Sequence, residues 1–312
     1  MMTTSSGKLP FAKPSPLKVY FTGKNRAGSW EIRGNQIASG RTNWTASNEI
    51  SSHDIKSHDL FVIVKRAEPK LVGKLKRSGK PVVFDVIDSW AQPAEGLTHT
   101  TLPLVKELFA KKWKSLGANA YIFPNAQMRA DLGSLAPFST TLYHHFRPGL
   151  EPIEVRKEVR RIGYEGNADF LGHWHGVMEA WCAKRGIEFV ANPEDFRTID
   201  IGFAARGGEH DSFMANRYKS NVKLANFYGA GIPCVVGAKE YSYHETDNGL
   251  VTFFETREDL ELQLERLLDF DLRSRIHRAF LQKREEFRVE RLCDAYELFF
   301  ASVMERFKRG LI

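Results

Sequence analysis

Apolar positions along the chain fall in short blocks, separated by stretches with helical spacing. Leu17 to Thr22 (LKVYFT) is a β-rich run closed by Gly23. Asp59 to Val64 (DLFVIV) is continuously apolar, the pattern of a strand buried on both faces. Pro81 to Val86 (PVVFDV), Ala120 to Phe123 (AYIF) and Thr140 to His144 add three more extended segments. Between them, Glu31 to Ser39, Glu68 to Ser78 and Thr101 to Leu116 suit helices, the last ended by Gly117. Strand alternating with helix predicts a parallel sheet covered on both faces.

The segment Arg147-Pro-Gly-Leu-Glu-Pro152 interrupts this alternation. The pattern then restarts with strands at Val159 to Tyr164, Ile187 to Val190, Ile199 to Ala205, Ile232 to Val236 and Leu250 to Phe254. Helices are expected over His175 to Lys184, Lys219 to Tyr228 and Arg257 to Leu268. Leu272 to Arg309 reads as a long helical segment. The expected organisation is a disordered tail (1–16), an N-terminal α/β domain (17–147), a C-terminal α/β domain (153–270) and C-terminal helices (271–312) that could pack back on the N-terminal domain.

Composition narrows this picture. The 312 residues suit two domains, and 42% hydrophobic residues allow each a core. No apolar run reaches the ~18 residues of a membrane-spanning helix, and Met1 to Pro16 lacks the apolar centre of a secretory signal. Cys182, Cys234 and Cys293 form no pair or metal-ligand spacing and read as buried free thiols, which fits a reducing cytosol. A net charge of +7 favours anionic partners. The basic-apolar stretch Leu104 to Trp113 could lie on an anionic bilayer, although a helix packed on the sheet is the preferred reading. The expected location is therefore cytoplasmic, with peripheral membrane contact as the alternative.

Ligands of open parallel sheets bind beyond the carboxyl ends of the strands, which selects the loops there. The loop GKNRAGSW after the first strand does not spell a dinucleotide fingerprint, but Gly23 and Gly28 allow close backbone approach. The strongest constellation is KSNVKLANFYGAGIPCVVG, Lys219 to Gly237. On a continuous helix, positions 219, 223, 226 and 230 share one face, bearing Lys, Lys, Asn and Ala. Lys219, Ser220, Lys223 and Asn226 would then stand near a helix N-terminus, a natural diphosphate site.

This run resembles the donor-site helix and strand of GT-B-fold glycosyltransferases, whose corresponding helix ends in A-x-G-x-P-V-V. The stretch NGLVTFFETREDLELQLERLL resembles the strand and acidic helix that follow there. The resemblance covers about Arg161 to Leu268 and implies two Rossmann-type domains facing a cleft. It also implies a nucleotide-diphospho-sugar donor, with Arg206, Lys219 and Lys223 at the diphosphate. Gly163, Glu165 and Gly166 would form the first donor-side loop, and Tyr241, Ser242 and His244 would approach the sugar or ribose. One departure is plain. Retaining members carry two glutamates separated by seven residues near this helix; here Glu209 is present and position 217 is Arg.

Arg and Lys with helix N–H groups can stabilise a departing diphosphate without a metal, so no obligatory metal site is expected. The general base of an inverting enzyme comes from the N-terminal domain in this family, and Asp85 and Asp88 in FDVIDSW are the candidates, with Trp90 as a stacking platform. His53, His58, His144 and His145 are weaker ones, and Arg33 either faces the cleft or pairs locally. The leading reading is a metal-independent glycosyltransferase acting on a carbohydrate, lipid-linked or other hydroxyl acceptor. A DNA-base glycosyltransferase of phage type, a non-catalytic sugar-nucleotide-binding protein and a sugar-nucleotide epimerase remain the alternatives.

Overall fold

The structure is a computed structural model that describes residues 16–24, 28–88, 98–247 and 249–312. Trp90, the tail through residue 15 and positions 25–27 of the first loop lie outside the described residues.

The first sheet contains β1 (Val19–Gly23), β2 (Trp44–Ala46), β3 (Leu60–Val64), β4 (Val82–Asp85), β5 (Ala120–Phe123) and β6 (Ser139–Thr141). Its order is β2-β1-β3-β4-β5-β6, all parallel. β1, β3, β4 and β5 are buried at every position, which explains their uninterrupted apolar runs. β2 was not anticipated. It is a three-residue edge strand in which Thr45 is exposed and only Trp44 is buried, so it carries no apolar run.

The second sheet contains β7 (Arg161–Tyr164), β8 (Glu188–Ala191), β9 (Ile201–Ala204), β10 (Cys234–Gly237) and β11 (Thr252–Phe254). Its order is β11-β10-β9-β7-β8, again parallel.

On the N-terminal side the helices are α1 (Gly28–Trp30), α2 (Gln36–Ser39), α3 (Ser52–Ser57), α4 (Pro69–Lys76), α5 (Leu102–Leu116) and α6 (Ala126–Leu132). A π-helical segment, Glu31–Asn35, joins α1 to α2. On the C-terminal side they are α7 (His173–Ala183), α8 (Phe213–Tyr218), α9 (Val222–Ala230), α10 (Tyr241–Thr246), α11 (Arg257–Arg266), α12 (Phe270–Arg284) and α13 (Val289–Lys308).

α5 turns Val105, Phe109 and Trp113 into the core, so the apolar side of the basic stretch packs on the sheet. The long C-terminal segment divides its allegiance. α12 contributes Ile276 and Phe280 to the core of the second sheet. α13 crosses back, and Tyr296, Phe299 and Phe300 pack on Val19, Phe21 and Trp44 of the first. The chain thus passes between the domains near 146–153 and again near 287. The amide of Phe146 donates to the carbonyl of Phe287 at 3.0 Å and ties the crossings together.

The helix expected over Lys219 to Tyr228 is two helices. Lys219 caps α8 in an extended conformation (φ −70, ψ 152), and α9 begins only at Val222. Tertiary bonds explain the break. Asn125 Nδ2 donates to the carbonyls of Arg217 and Lys219, each at 2.9 Å. Asn221 Oδ1 accepts the amide of His144 at 2.8 Å, and Asn226 Oδ1 accepts that of Arg147 at 2.8 Å. The first crossing is therefore strapped along α9, and local helix propensity is overridden. Gly231 ends α9 in the left-handed conformation (φ 68), as a helix C-terminus favours.

Candidate functional site

The two sheets present their carboxyl ends to one another. On the N-terminal side, Lys65 and Ile87 follow β3 and β4 with φ of 61 and 67. Left-handed backbone is strained for both, and most so for the β-branched Ile87. Such strain persists where the surroundings fix a site. Just beyond stands Asp88, whose carboxylate meets Lys65 Nζ at 3.0 Å and Lys219 Nζ at 3.3 Å from across the cleft. Burial opposes the charge on Asp88, but Lys219 and Lys65 outweigh it and hold the carboxyl well below its usual range. The structure places Asp88, expected as a general base, in an ionic bridge between the domains, where its cationic partners disfavour protonation.

Asp85 is corrected further. It is fully buried and faces away from solvent access, accepting from Arg33 Nε at 3.2 Å and from the Tyr296 hydroxyl. Arg33, expected to face the cleft or to pair locally, is equally buried and also donates to the carbonyls of Leu142 (2.9 Å) and Tyr143 (3.2 Å). Burial works against its charge, yet Asp85 and Tyr296 raise its pKa. This is a closed structural pair.

On the C-terminal side, Arg206 follows β9, and its Nε stands 3.5 Å from Glu240. Lys223 lies in the first turn of α9 and is buried, with Nζ bonded to the Tyr164 hydroxyl at 2.9 Å. Burial, then the neighbouring charge of Arg206, pushes its pKa down to about 7. Lys219 is lowered too, by burial first and then by Arg206 and Lys65, against the pull of Asp88. Four cations, Lys65, Arg206, Lys219 and Lys223, therefore crowd a largely desolvated region, with Asp88, Glu165 and Glu240 as counter-charges. Arg206 Nε and Glu240 Oε2 have no hydrogen-bond partner among the described residues.

Two cavities flank this cluster. One, of about 530 Å³, opens at the ends of β9, β10 and β11 and is lined by Trp174, Arg206, Glu240 and Phe254 among others. The other, of about 260 Å³, lies between the domains against Gly28, Gln36, His145, Arg147, Glu165 and Asn226. Asn226 donates to Glu165 at 2.7 Å, and Glu165 also accepts from Arg147 at 2.7 Å. His145 Nε2 meets Gln36 Oε1 at 2.8 Å, and burial, then Arg33, lowers its pKa to about 3, so the ring is neutral. His144 is buried with both ring nitrogens unpartnered among the described residues. His58 is structural: its ring meets Tyr20 edge-on at 4.9 Å and its Nδ1 meets the Asp54 carbonyl.

Arg206, Lys219 and Lys223 come together, and Gly28, Glu165 and Asn226 share the adjacent cavity. Gly166 lies beside Lys223, with Lys223 Cε 3.7 Å from where its Cβ would stand. Ser220 sits half-buried in the break between α8 and α9. Three expectations fail on geometry. Gly163 is inside β7, not in a loop, and a Cβ there would meet Ile199 at 2.7 Å. Tyr241 and His244 belong to α10 rather than a loop. Tyr241 instead lies under Arg217, 4.9 Å from the ring, and His244 stacks on Phe253 at 4.2 Å with Nε2 on the Ala238 carbonyl. Glu240 and Gln36 went unnoticed, although Glu240 lies three residues past Gly237, at the strand end that the sheet rule selects.

Among the described residues no group of three or more His, Cys, Asp or Glu could hold a metal ion, and no helix is long and apolar enough to cross a membrane.

No protein-family model matches the chain, and no curated protein does. Solved structures do. An α,α-trehalose-phosphate synthase (UDP-forming) from Burkholderia vietnamiensis superposes with TM-score 0.58 at 9% identity, covering 92% of this chain and 96% of that one. The E. coli trehalose-6-phosphate structure bound with UDP-2-fluoro glucose gives TM-score 0.58 at 9% identity, with 92% and 99% covered. The GtfA/B complex gives 0.53 at 12% identity over 79% of this chain, which spans only 57% of that one. At such identities the likeness is one of fold. Two parallel-sheet domains facing a cleft, with a long C-terminal helical segment, are the GT-B fold, and this chain has it.

Proposed function

We propose that the protein transfers a glycosyl group from a nucleoside-diphosphate sugar to a hydroxyl acceptor. One observation carries this reading: Lys219 and Lys223, whose charge burial and the neighbouring Arg206 disfavour, stand with Arg206 where the two sheets meet, Lys223 buried and the other two largely so. A buried ammonium with a depressed pKa is costly without an anion. A diphosphate supplies that anion, and the free N–H groups at the start of α9 add donors for it. In transfer, the anomeric C–O bond to the diphosphate breaks and a bond to the acceptor oxygen forms. The charge that develops on the leaving diphosphate is met by these groups, so this step needs no metal ion. The sugar would extend toward Glu165 and Asn226, where the interdomain cavity offers polar groups for hydroxyls. The E. coli neighbour, bound with UDP-2-fluoro glucose, has the same fold and supports this choice of ligand class.

Binding of UDP, GDP, ADP and CDP by calorimetry and thermal shift tests the reading. At least one is expected to bind, and Lys223→Met is expected to weaken it by roughly 10- to 100-fold, the cost of a charge-assisted hydrogen bond. Folding should be intact, because the variant removes a desolvated charge. Absence of binding by all four would sink the donor site.

A further inference from the structure

We infer that Asp88 is an internal competitor for the diphosphate: its carboxylate holds Lys219 from across the cleft, and a nucleotide must draw that cation away from it to bind. The inference rests on the nucleoside-diphosphate reading above and names a contact of this chain that limits how tightly the site binds.

Asp88 follows β4 and Lys219 ends α8, so the contact joins loops of the two domains. Lys65 Nζ meets both oxygens of the carboxylate, Oδ1 at 3.0 Å and Oδ2 at 3.2 Å, and Lys219 Nζ reaches Oδ2 at 3.3 Å. The side chains of Asp88 and Lys219 are 14% and 17% exposed, so solvent screens the pair weakly. A phosphate oxygen bonded to Lys219 at ~2.8 Å would lie no more than about 6 Å from Asp88 Oδ2. Two anions at that separation repel, most of all where water is scarce. The diphosphate and Asp88 therefore compete for one ammonium.

The exchange is open to Asp88 because it keeps a partner. When Lys219 turns to a phosphate, Lys65 still holds the carboxylate, and Lys65 is itself steadied by donating to Ser29 Oγ at 3.3 Å. A buried carboxylate without any counter-ion, the costly outcome, is avoided. Lys219 needs no backbone shift, since its carbonyl stays on Asn125 Nδ2 at 2.9 Å while the side chain turns. The other acids of the cluster stand on the side of the second sheet. Glu240 faces Arg206 at 3.5 Å, and Glu165 accepts from Arg147 and Asn226, each at 2.7 Å. Neither makes an ion pair with Lys219 among the described residues. Asp88 is the acid that the first sheet brings to it.

Asp88 could instead orient Lys219 for the phosphate, and the two roles differ in sign. UDP, GDP, ADP and CDP are titrated by calorimetry at one fixed ionic strength into wild type, Asp88→Asn, Lys219→Met and the double variant Asp88→Asn/Lys219→Met. Competition predicts that Asp88→Asn binds the best ligand of wild type about ten-fold more tightly. The gain should vanish in the Lys219→Met background, because the contested cation is gone. Asp88→Asn leaves two lysines facing each other, so Lys65→Met/Asp88→Asn is measured beside it. That pair removes one of them and keeps the net charge of the cluster, and it should still bind more tightly than wild type. An orienting role predicts weaker binding in both. Weaker or unchanged binding in either variant, or a gain that persists in the Lys219→Met background as a general effect of charge, overturns the inference and leaves the donor site standing. If none of the four nucleotides binds wild type, the donor reading falls and this inference with it.

Discussion

Arg33, fully buried, and Arg206, largely buried, both stand near the carboxyl ends of parallel sheets, yet their surroundings differ. Arg33 has a carboxylate at 3.2 Å, two backbone carbonyls and the Tyr296 ring 5.4 Å from its guanidinium carbon. Arg206 has one carboxylate at 3.5 Å, and its Nε makes no hydrogen bond within the described residues. The first is a charge whose partners all belong to the fold. Against burial, the second also has its charge favoured, by Glu240, Tyr243 and Tyr164, but its Nε is left without a hydrogen bond among the described residues and two lowered lysines stand beside it. Burial alone does not mark a site; burial without satisfaction does.

The sharpest way to break this contrast is Asp85→Ala. It leaves Arg33 buried without its counter-ion, and the expected loss is about 3–5 kcal/mol in urea denaturation. A variant that folds normally but loses transfer would instead return Asp85 to a catalytic role.

Next in size is the pH dependence at Lys223. Its folded pKa of about 7 lies below the 10.5 of an ordinary lysine. Between these values the unfolded chain binds the extra proton, so this group makes stability rise with pH across that window. Diphosphate binding has the opposite sign. The anion favours the ammonium, so affinity should fall as pH rises above about 7, by up to about ten-fold per unit. Arg206, Glu240, Glu165 and Lys219 are the charges that act on the same amine. Calorimetry from pH 6 to 9 should show proton uptake on binding, and Lys223→Met should flatten both slopes. A slope that survives in Lys223→Met would place the titrating group elsewhere.

Most of the architecture was legible because parallel strands buried on both faces leave unbroken apolar runs, as in DLFVIV and AYIF. The cations were legible as well, since Lys223 and Arg206 follow the elements that the sheet rule selects. What escaped was set by contacts between distant segments. The helix broke at Lys219 because Asn125, some ninety residues earlier, takes its carbonyl. Asp85 read as a strand-end acid because Arg33 and Tyr296 reach it from 52 and 211 residues away. Glu240 passed unnoticed because an unmade hydrogen bond leaves no trace in residue order.

The smallest expected effect concerns the seam that sets the two regions against each other. Glu245 of α10 accepts the amides of Ala126 at 2.8 Å and Gln127 at 2.7 Å, capping α6 of the other domain, and also accepts from Tyr143 at 3.1 Å. Asn125 fills the remaining need, taking the Met128 amide at 2.7 Å while holding the Lys219 carbonyl. One helix terminus thus receives a carboxylate across the interface and positions a cation of the cleft. Glu245→Gln keeps one acceptor oxygen but removes the charge at the helix N-terminus, so about 1 kcal/mol of stability should be lost. Lys219 should also be less firmly held, and nucleoside-diphosphate affinity should drop by no more than about three-fold, below the loss expected from Lys223→Met. Equal affinity in wild type and Glu245→Gln, with stability reduced, would mean that the seam holds the domains without tuning the cation cluster. Movement of one domain against the other would in either case involve more than the segment 147–152. Two chain crossings, joined through Phe146 and Phe287, would have to bend together.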